Sequence, residues 1–393
     1  MQRRSISLSI QLNIYQTLAA AILVYYAGVF LRMKISALRT YCIPAPVIGG
    51  ILFAALNCLL YTQGIWSYEQ DTVMQNVCMM LFFTSVGYTA SLSLIRRGGI
   101  MVFKMAVITT VLIVIQNILG ISLSSLFGLS PYMGLATGSI PMVGGHATAA
   151  AFGPLLEEMG LDSGATIAVA AATFGLVAGG LIGGPVGEQL VHKHHLHSHA
   201  DTERLDPSVS QEEVDKLSSI ASSKEKAAEV IKQEHITGQS INNHHFMNAM
   251  AHLFLAMGLG TLVSGFLNSL GLIFPAYIGS MLVAAVIRNI SDFTHVYKVY
   301  QRESEVLGNL GLTVFLTCVL MSLKLWQLSD LAVPMIVMLL SQAATPNAIA
   351  NMTAMTELFG PAPTAFFVIP LIGSLIIDPV NASVITIFIN LFH

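Results

Sequence analysis

The chain has 393 residues, of which 54% are hydrophobic and only 10% are charged. This is too little charge to cover a water-soluble globule of this size, so the chain must be solvated largely by lipid. The net charge of −3 excludes the strongly basic surface that is typical of nucleic-acid-binding proteins.

Apolar stretches long enough to cross a bilayer recur along nearly the whole chain. A bilayer core about 30 Å thick needs roughly 20 apolar residues per helical crossing, and backbone polar groups in lipid require helices. A transmembrane β-barrel would show short segments of alternating polarity, whereas Ala106 to Ile115 is almost entirely apolar. An all-α polytopic membrane protein is therefore predicted. The candidate crossings lie at residues 11–31, 45–61, 77–95, 101–127, 164–191, 248–270, 273–289, 306–323, 331–342 and 364–390.

One long polar stretch, residues 192–246, divides the chain into a first membrane repeat at residues 1–191 and a second at residues 247–393. Loops rich in Lys and Arg stay in the cytoplasm, and their distribution places the N-terminus outside and residues 192–246 inside as a cytoplasmic linker. The eight histidines of this linker lack an ordered acidic frame, so a solvated segment is favoured over a metal site. No metal other than Na⁺ is expected, and no nucleotide-binding loop is present, so primary transport is not predicted.

Sequence similarity between the two halves indicates an internal repeat. Ile43-Pro-Ala-Pro-Val-Ile-Gly-Gly opens the second crossing, and Phe274-Pro-Ala-Tyr-Ile-Gly-Ser opens the seventh. Gln116 of the first half corresponds to Gln342 of the second. An odd number of crossings in each half would make the repeats inverted, which is the architecture of alternating-access carriers with a midplane site. General similarity among membrane helices is the alternative explanation.

The segment near residues 131–153 is too interrupted by Gly and Pro for a plain crossing and too apolar for a surface loop. We predict a re-entrant hairpin, and irregular backbone at that depth implies a cavity. A helix that begins after Gly144-Gly145 would direct free N–H groups into this cavity, where they suit a carboxylate. Candidate substrate-binding residues are Ser139, Gly145, His146 and Thr148. Close helix packing by small residues explains the same pattern without a ligand.

Further polar residues lie in apolar surroundings of the second half. Asn347 and Asn351 share one helical face next to Thr345, and these three are candidates for binding the substrate. Interhelical hydrogen bonding is the alternative. Asp378 lies with Asn381 in the last apolar segment, where a lone carboxylate costs at least about 2.5 kcal/mol, so its partner is predicted to be Na⁺, a proton or a substrate ammonium group. A helix cap is the alternative.

Two weaker candidates come from the first half. Thr173 is a further sodium or coupling candidate, and Gln116-Asn117 lies deep in the fourth crossing. Packing hydrogen bonds are favoured over a ligand at both positions.

Several motifs resemble the sodium/glutamate symporters. They are Tyr41-Cys-Ile-Pro-Ala-Pro-Val-Ile-Gly-Gly, Gly144-Gly-His-Ala-Thr, Ala172-Thr-Phe-Gly-Leu-Val-Ala-Gly-Gly-Leu-Ile-Gly-Gly-Pro, Leu323-Lys-Leu-Trp and Ala344-Thr-Pro-Asn-Ala-Ile-Ala-Asn-Met. The resemblance implies two inverted five-helix repeats with re-entrant hairpins in a multi-pass protein of the cell inner membrane. It also implies a homodimer that is not an enzyme, has no cofactor and carries glutamate together with Na⁺.

The second half departs from this family pattern. About 30 residues of the first half, Asn117 to His146, have no counterpart at 342–344, where Gln342 is followed almost directly by Ala344-Thr-Pro. A ninth crossing of about 12 residues would span roughly 18 Å at 1.5 Å per residue, which is too short for the bilayer core. The predicted function is sodium-coupled glutamate symport. A sodium-coupled carrier of another carboxylate and a degenerate, non-transporting membrane protein are the alternatives.

Overall fold

The structure is a computed structural model that describes residues 8–40, 43–193, 243–270, 275–295, 297–329, 331–344 and 378–392. Most of these residues are helical. The helices are α1 Ile14–Lys34, α2 Ser36–Thr40, α3 Ala45–Thr62, α4 Val73–Gly87, α5 Leu92–Leu126, α6 Pro131–Thr137, α7 Ser139–Met142, α8 Gly145–Glu158, α9 Gly164–Lys193, α10 Asn243–Ser269, α11 Ala276–Thr294, α12 Gln301–Met321, α13 Ala332–Ala344 and α14 Asp378–Phe392, with a 3₁₀ helix Leu325–Leu328 between α12 and α13.

A small sheet corrects the all-α prediction. Strand β1, Leu8–Leu12, pairs in parallel with strand β2, Trp66–Gln70. The first helix consequently begins at Ile14 rather than at residue 11. Apolar and polar side chains alternate along β1, which is the ordinary signal of a strand, but the apolar stretch that follows concealed it.

The described helices follow the predicted crossings, and five of them are long and apolar enough to span a bilayer: Ile14–Lys34, Ala45–Thr62, Ala106–Leu126, Asn243–Ser269 and Gln301–Met321. The largest difference concerns the third and fourth crossings. Helix α4 ends at Gly87 rather than at residue 95, and α5 begins at Leu92 rather than at 101. The side-chain oxygen of Asn289 accepts a hydrogen bond of 2.7 Å from the Leu92 N–H, so this boundary depends on a residue distant in sequence.

The helices pack into two bundles, each of which takes helices from both halves of the chain. The first bundle contains α1, α3, α4, α10, α11 and α12. The second bundle contains α5 to α9 together with α13 and α14. The bundles contact each other where α8 meets α12 and where α9 meets the 3₁₀ helix.

Large apolar side chains cover the outer faces of the first bundle. Leu23 of α1 and Leu262 of α10 are 72% and 70% exposed, and Phe30 and Phe266 lie exposed on the same two helices. Water would not tolerate so large an apolar surface, so these faces contact lipid. The chain is therefore a multi-pass membrane protein.

Helix α13 runs without a break through Gln342 to Ala344. Residues 345–377 lie outside the described part of the structure, and so do residues 194–242 of the linker.

Candidate functional site

In the broken segment α6–α7–α8, helix α6 packs against α5 and helix α8 packs against α9. Gly134 packs against Gly120 of α5, where a Cβ added at Gly134 would lie 2.5 Å from the Gly120 backbone. Further along the chain, the Ser139 N–H donates to Asn117 Oδ1 at 3.1 Å. Asn117 lies closer to the middle of α5 than Gly120 does. The return path follows α9, because Gly153 packs against Ala165 there.

The turn between the two arms depends on glycine. Gly145 has a φ of +64°, in the left-handed region that other residues adopt only with strain. It starts α8 immediately before His146, which is buried. This left-handed residue therefore separates α7 from α8 directly beside the predicted binding residues.

Four buried polar residues lie at or next to the break between α6 and α7, and we call them the amide cluster: Gln116, Asn117, Ser139 and Asn381. All four are at most 2% exposed. Asn381 of α14 donates through Nδ2 to the Ser139 carbonyl at 3.2 Å, so the last helix of the chain is joined to the break. The predicted residues Ser139 and Asn381, 242 positions apart, thus lie in contact.

Within the part of the chain that the structure describes, each residue of the amide cluster carries one buried atom that has no hydrogen-bond partner. These atoms are Gln116 Oε1, Asn117 Nδ2, Ser139 Oγ and Asn381 Oδ1. A buried polar atom without a partner costs about 1–3 kcal/mol, and such atoms are rare in native proteins. Four such atoms on neighbouring residues make this region a candidate ligand site.

His146 is held in a defined orientation by Thr173. The Thr173 hydroxyl donates to the Val169 carbonyl at 2.9 Å, so its oxygen accepts from His146 Nε2 at 3.0 Å. This assigns the ring proton to Nε2 and leaves Nδ1 as an acceptor. Thr173 was predicted as a sodium or coupling residue. In this structure it orients the ring of His146, which was predicted to bind the substrate.

Two side-chain hydrogen bonds cross between the bundles. The hydroxyl groups of Thr148 and Tyr277 lie 3.2 Å apart and join α8 to α11. The Thr166 hydroxyl donates to Gln327 Oε1 at 3.1 Å and joins α9 to the 3₁₀ helix. The second bundle is thus connected to the first by polar contacts that can exchange with water.

A cavity of about 640 Å³ opens between the bundles. Its lining includes Thr72 of the α3–α4 connection, which the charge distribution places outside, and Glu157 and Asp162 at the outer end of the broken segment. Lys324 also lines this cavity and is the basic residue among its described lining residues. The cavity is large enough for a small amino acid.

The structure places most of the predicted site residues of the first half close together. Ser139, Gly145, His146 and Thr148 all lie between Gly138 and the first turn of α8. Thr345, Asn347 and Asn351 fall outside the described residues. Asp378 begins α14, three residues before Asn381, but its side chain is not described.

Sequence reasoning gave too little weight to Gln116 and Asn117. Two adjacent amides at the centre of the apolar span Ala106–Leu126 were the available signal. Tyr277 was missed as a site residue although it belongs to one of the repeat motifs.

The sodium/glutamate symporter family matches residues 10–344. The chain belongs to this family. It is 33% identical to the sodium/glutamate symporter of Escherichia coli (strain K12) over 97% of this chain and 98% of that protein. The sodium/glutamate symporter of Haemophilus influenzae is 30% identical over the same shares of the two chains.

The family comparison also reveals a difference in length. The alignment with the Escherichia coli symporter covers 415 positions, 22 more than the 393 residues of this chain, so at least 22 residues of that relative have no counterpart here. The family match ends at residue 344. A deficit of about 30 residues at 342–344 agrees in size with this difference, and its position remains a prediction.

Proposed function

We propose that this protein is a secondary transporter that carries glutamate together with Na⁺ across the inner membrane. The observation that carries the proposal is its membership of the symporter family, with relatives named for this activity along 97% of its length. The uncharged, buried amide cluster beside a broken helix supports it, because such breaks bind ions and substrates in secondary transporters.

We assign glutamate to the space bounded by Ser139, Gly145, His146 and Thr148, with Thr345, Asn347 and Asn351 contributed from the second half. The backbone N–H groups at the start of α8 and the Nε2-protonated His146 suit a carboxylate. Na⁺ coupling is assigned to Asp378 and Asn381, with Thr173 as a further candidate. The contact of Asn381 with Ser139 supports a shared location for ion and substrate.

We also propose the architecture that the family resemblance implies: a homodimer built from two inverted repeats, each with a re-entrant hairpin. The descent of α6 along α5 and the return of α8 along α9 support a hairpin in the first repeat. The mixing of both halves in each bundle supports the repeats. Cross-linking in native membranes tests the dimer.

The test of the function is uptake of labelled glutamate into vesicles that contain the purified protein. An inward Na⁺ gradient should drive accumulation, and replacement of Na⁺ by choline should abolish it. Equal uptake in the two salts refutes sodium coupling. Counterflow against a panel of unlabelled anions then separates glutamate from other carboxylates.

A second candidate function is that of a non-transporting membrane protein. The length difference of at least 22 residues favours it, because a missing hairpin arm would remove one side of the site. Binding of labelled glutamate without accumulation in the same vesicles would support this alternative.

A further inference from the structure

Two connections lead from the first bundle into the second. The inner connection, residues 88–91, joins α4 to α5, and the outer connection, residues 322–331, joins α12 to α13. The predicted repeat makes them equivalent, because α4 and α12 contain the corresponding segments Phe82-Phe-Thr-Ser-Val-Gly and Phe315-Leu-Thr-Cys-Val-Leu. The charge distribution places the first connection inside and the second outside. The structure holds the two in different ways.

The inner connection is buried, which is unusual for a segment between helices. Tyr88 and Ala90 are fully covered, and Ser91 is 3% exposed. Buried polar groups need hydrogen-bond partners, and helices of the first bundle provide them here. The Tyr88 hydroxyl donates to the His252 carbonyl of α10 at 2.8 Å, so the beginning of the connection is attached to the first bundle.

Helix α11 holds the end of the inner connection with two side chains, Asn289 and Asp292, which we call the clamp. Asn289 accepts from the Leu92 N–H at 2.7 Å and donates to the Ala90 carbonyl at 2.9 Å. The hydroxyl of Ser91, between these two residues, donates to Asp292 Oδ2 at 2.8 Å. Three consecutive residues of the chain are therefore bound to one turn of α11.

Both side chains of the clamp are themselves held in place within α11. Asn289 donates its second amide hydrogen to the Ala285 carbonyl at 2.7 Å, and Asp292 accepts from Arg288 Nε at 3.2 Å. The Asn289 amide uses its oxygen and both of its hydrogens, so it cannot rotate without losing all three bonds. Helix α5 packs against α6, α7, α13 and α14 of the second bundle, and the clamp attaches its first residue to the first bundle.

The outer connection contacts both bundles at adjacent residues. Trp326 stacks on Tyr61 of α3, with ring centroids 3.9 Å apart and an angle of 16° between the rings. Gln327 accepts the hydrogen bond from Thr166 of α9 at 3.1 Å. The first contact belongs to the first bundle and the second contact to the second bundle. If the bundles move relative to each other, one of these contacts must break.

The hydrogen bond is the contact that is easier to break. Thr166 and Gln327 both line the cavity, where water can replace a hydrogen bond between neutral groups at little cost. Separation of Tyr61 from Trp326 would instead give up the contact between two large aromatic faces. The outer connection therefore stays with α3 when it leaves α9.

Tyr61 and Asp292 occupy equivalent positions in the predicted repeats. Each lies 17 residues after the corresponding proline, Pro44 or Pro275, near the end of α3 or α11. Each also holds the connection of the other repeat, since Tyr61 contacts the outer connection and Asp292 the inner one. The ends of these two helices are thus a matched pair of attachment points on the first bundle.

We propose that these attachment points keep both connections on the first bundle throughout the transport cycle, and that the outer connection releases the second bundle by opening the Thr166–Gln327 bond. This inference rests on the proposed function, because it concerns the movement that transport requires. Asn289 and Asp292 are positioning residues in it, since they fix the start of α5 and do not contact the substrate site.

The first experiment fixes each contact with a removable cross-link. Ser91→Cys/Asp292→Cys replaces the clamp contact, and Thr166→Cys/Gln327→Cys replaces the contact of the outer connection with α9. Each pair is bridged in vesicles with a short bis-methanethiosulfonate reagent, and glutamate uptake is measured before and after dithiothreitol removes the bridge. Both measurements use the same variant, so the effects of the substitutions cancel. The single-cysteine variants and the treated wild type show whether the native cysteines react.

The two bridged proteins should behave in opposite ways. Bridged Ser91→Cys/Asp292→Cys should take up glutamate at the rate of its reduced form, because the clamp stays closed. Bridged Thr166→Cys/Gln327→Cys should lose about nine-tenths or more of its uptake and regain it on reduction, because a carrier that cannot change conformation cannot release its substrate on the other side. Loss of uptake in the first protein, or unchanged uptake in the second, overturns the inference.

Amide hydrogen exchange of the wild type provides a second measurement, which needs no substitution and stands even if a cysteine pair does not fold. Exchange across residues 88–92 should be equally slow with and without Na⁺ and glutamate. Exchange across residues 322–329 should change severalfold, because their attachment to α9 is closed in only one conformation and the ligands shift the populations. An equal change in both segments would mean that the clamp opens too, and the inference fails.

The proposed function and this inference fail in different measurements. Wild-type uptake that does not depend on Na⁺ refutes sodium coupling, and the comparison of bridged with reduced protein still decides the inference. If the wild type takes up no glutamate, the proposed function is refuted and hydrogen exchange decides the inference alone.

Discussion

Gln342 of α13 donates through Nε2 to the backbone carbonyl of Gln116 at 3.0 Å, in a buried contact between positions 226 residues apart. These are the two glutamines that the predicted internal repeat places in correspondence. Their contact brings the equivalent points of the two halves together next to the amide cluster, as expected if a symmetry axis between the repeats passes through the site.

Replacing Gln342 with Ala should destabilise the second bundle. The substitution removes the contact between α13 and α5 and opens a cavity at the buried interface, so we expect a loss of about 1–3 kcal/mol in the free energy of unfolding. Thermal unfolding in detergent measures it. Ser341→Ala is the control, because Ser341 is half-buried and its hydroxyl donates to the Val337 carbonyl of its own helix. Equal stability of the two variants would contradict the prediction.

Replacing Thr173 with Val should weaken glutamate binding without removing the protein from the membrane. Valine has the shape of threonine but cannot accept the proton of His146 Nε2, so the ring loses its orientation. We expect the KM for glutamate to rise by roughly fivefold to a hundredfold, equivalent to about 1–3 kcal/mol. Thr173→Ser keeps the hydroxyl and should restore binding.

A valine at Thr110 provides the control for this measurement. Thr110 bonds only to the Ala106 carbonyl one turn earlier in α5. If Thr110→Val and Thr173→Val change the KM equally, the effect belongs to helix packing and not to His146.

Replacing Tyr277 with Phe should shift the balance between conformations of the transporter. Alternating access requires the site to face each side in turn, and the Thr148–Tyr277 hydrogen bond stabilises the arrangement with the open cavity. Loss of this bond should lower the labelling rate of a Ser322→Cys reporter in the cavity by roughly twofold to tenfold. Tyr88→Phe is the control, since Tyr88 bonds within the first bundle to the His252 carbonyl. A similar change in both variants would exclude a role specific to the contact between bundles.

Replacing Lys324 with Gln should slow the entry of an anionic substrate. Lys324 shares the cavity with Glu157 and Asp162, so its loss leaves a negative entrance. We expect the KM for glutamate to rise roughly twofold to fivefold at low ionic strength and to approach the wild-type value when choline chloride is added at constant Na⁺. Lys104→Gln is the control, because Lys104 lies in the N-terminal half of α5 and is not one of the residues that line the cavity. It should have no such effect. Salt-independent behaviour would point to a direct contact instead.

The apolar pattern was sufficient to predict the five crossings whose helices are long and apolar enough to span a bilayer, since length and composition decide this property. It also located the broken segment, because Gly and Pro at 138, 141, 144 and 145 leave few alternatives. What the sequence could not supply were contacts between distant positions. The boundary at Leu92 depends on Asn289, and the role of Thr173 depends on its distance from His146.

For the same reason, the sequence could not show whether Gln116 and Asn117 bind a ligand or only pack. An amide inside a membrane helix is either a packing hydrogen bond or a ligand, and the difference lies in whether its atoms already have partners. That question is answered by the neighbours that α7 and α14 bring to it.

The composition of the two bundles constrains how the protein is synthesised. When α9 leaves the ribosome, α12 has not yet been made, although it packs against α4 in the finished first bundle. Likewise α13 and α14, which pack against α5 in the finished second bundle, have not yet been made. The amide cluster therefore stays incomplete in the bilayer until Asn381 has been synthesised near the end of translation. Membrane chaperones and proteases encounter an unfinished first half for most of this time, so nonsense mutations even within α14 should remove the whole protein rather than leave a working remnant.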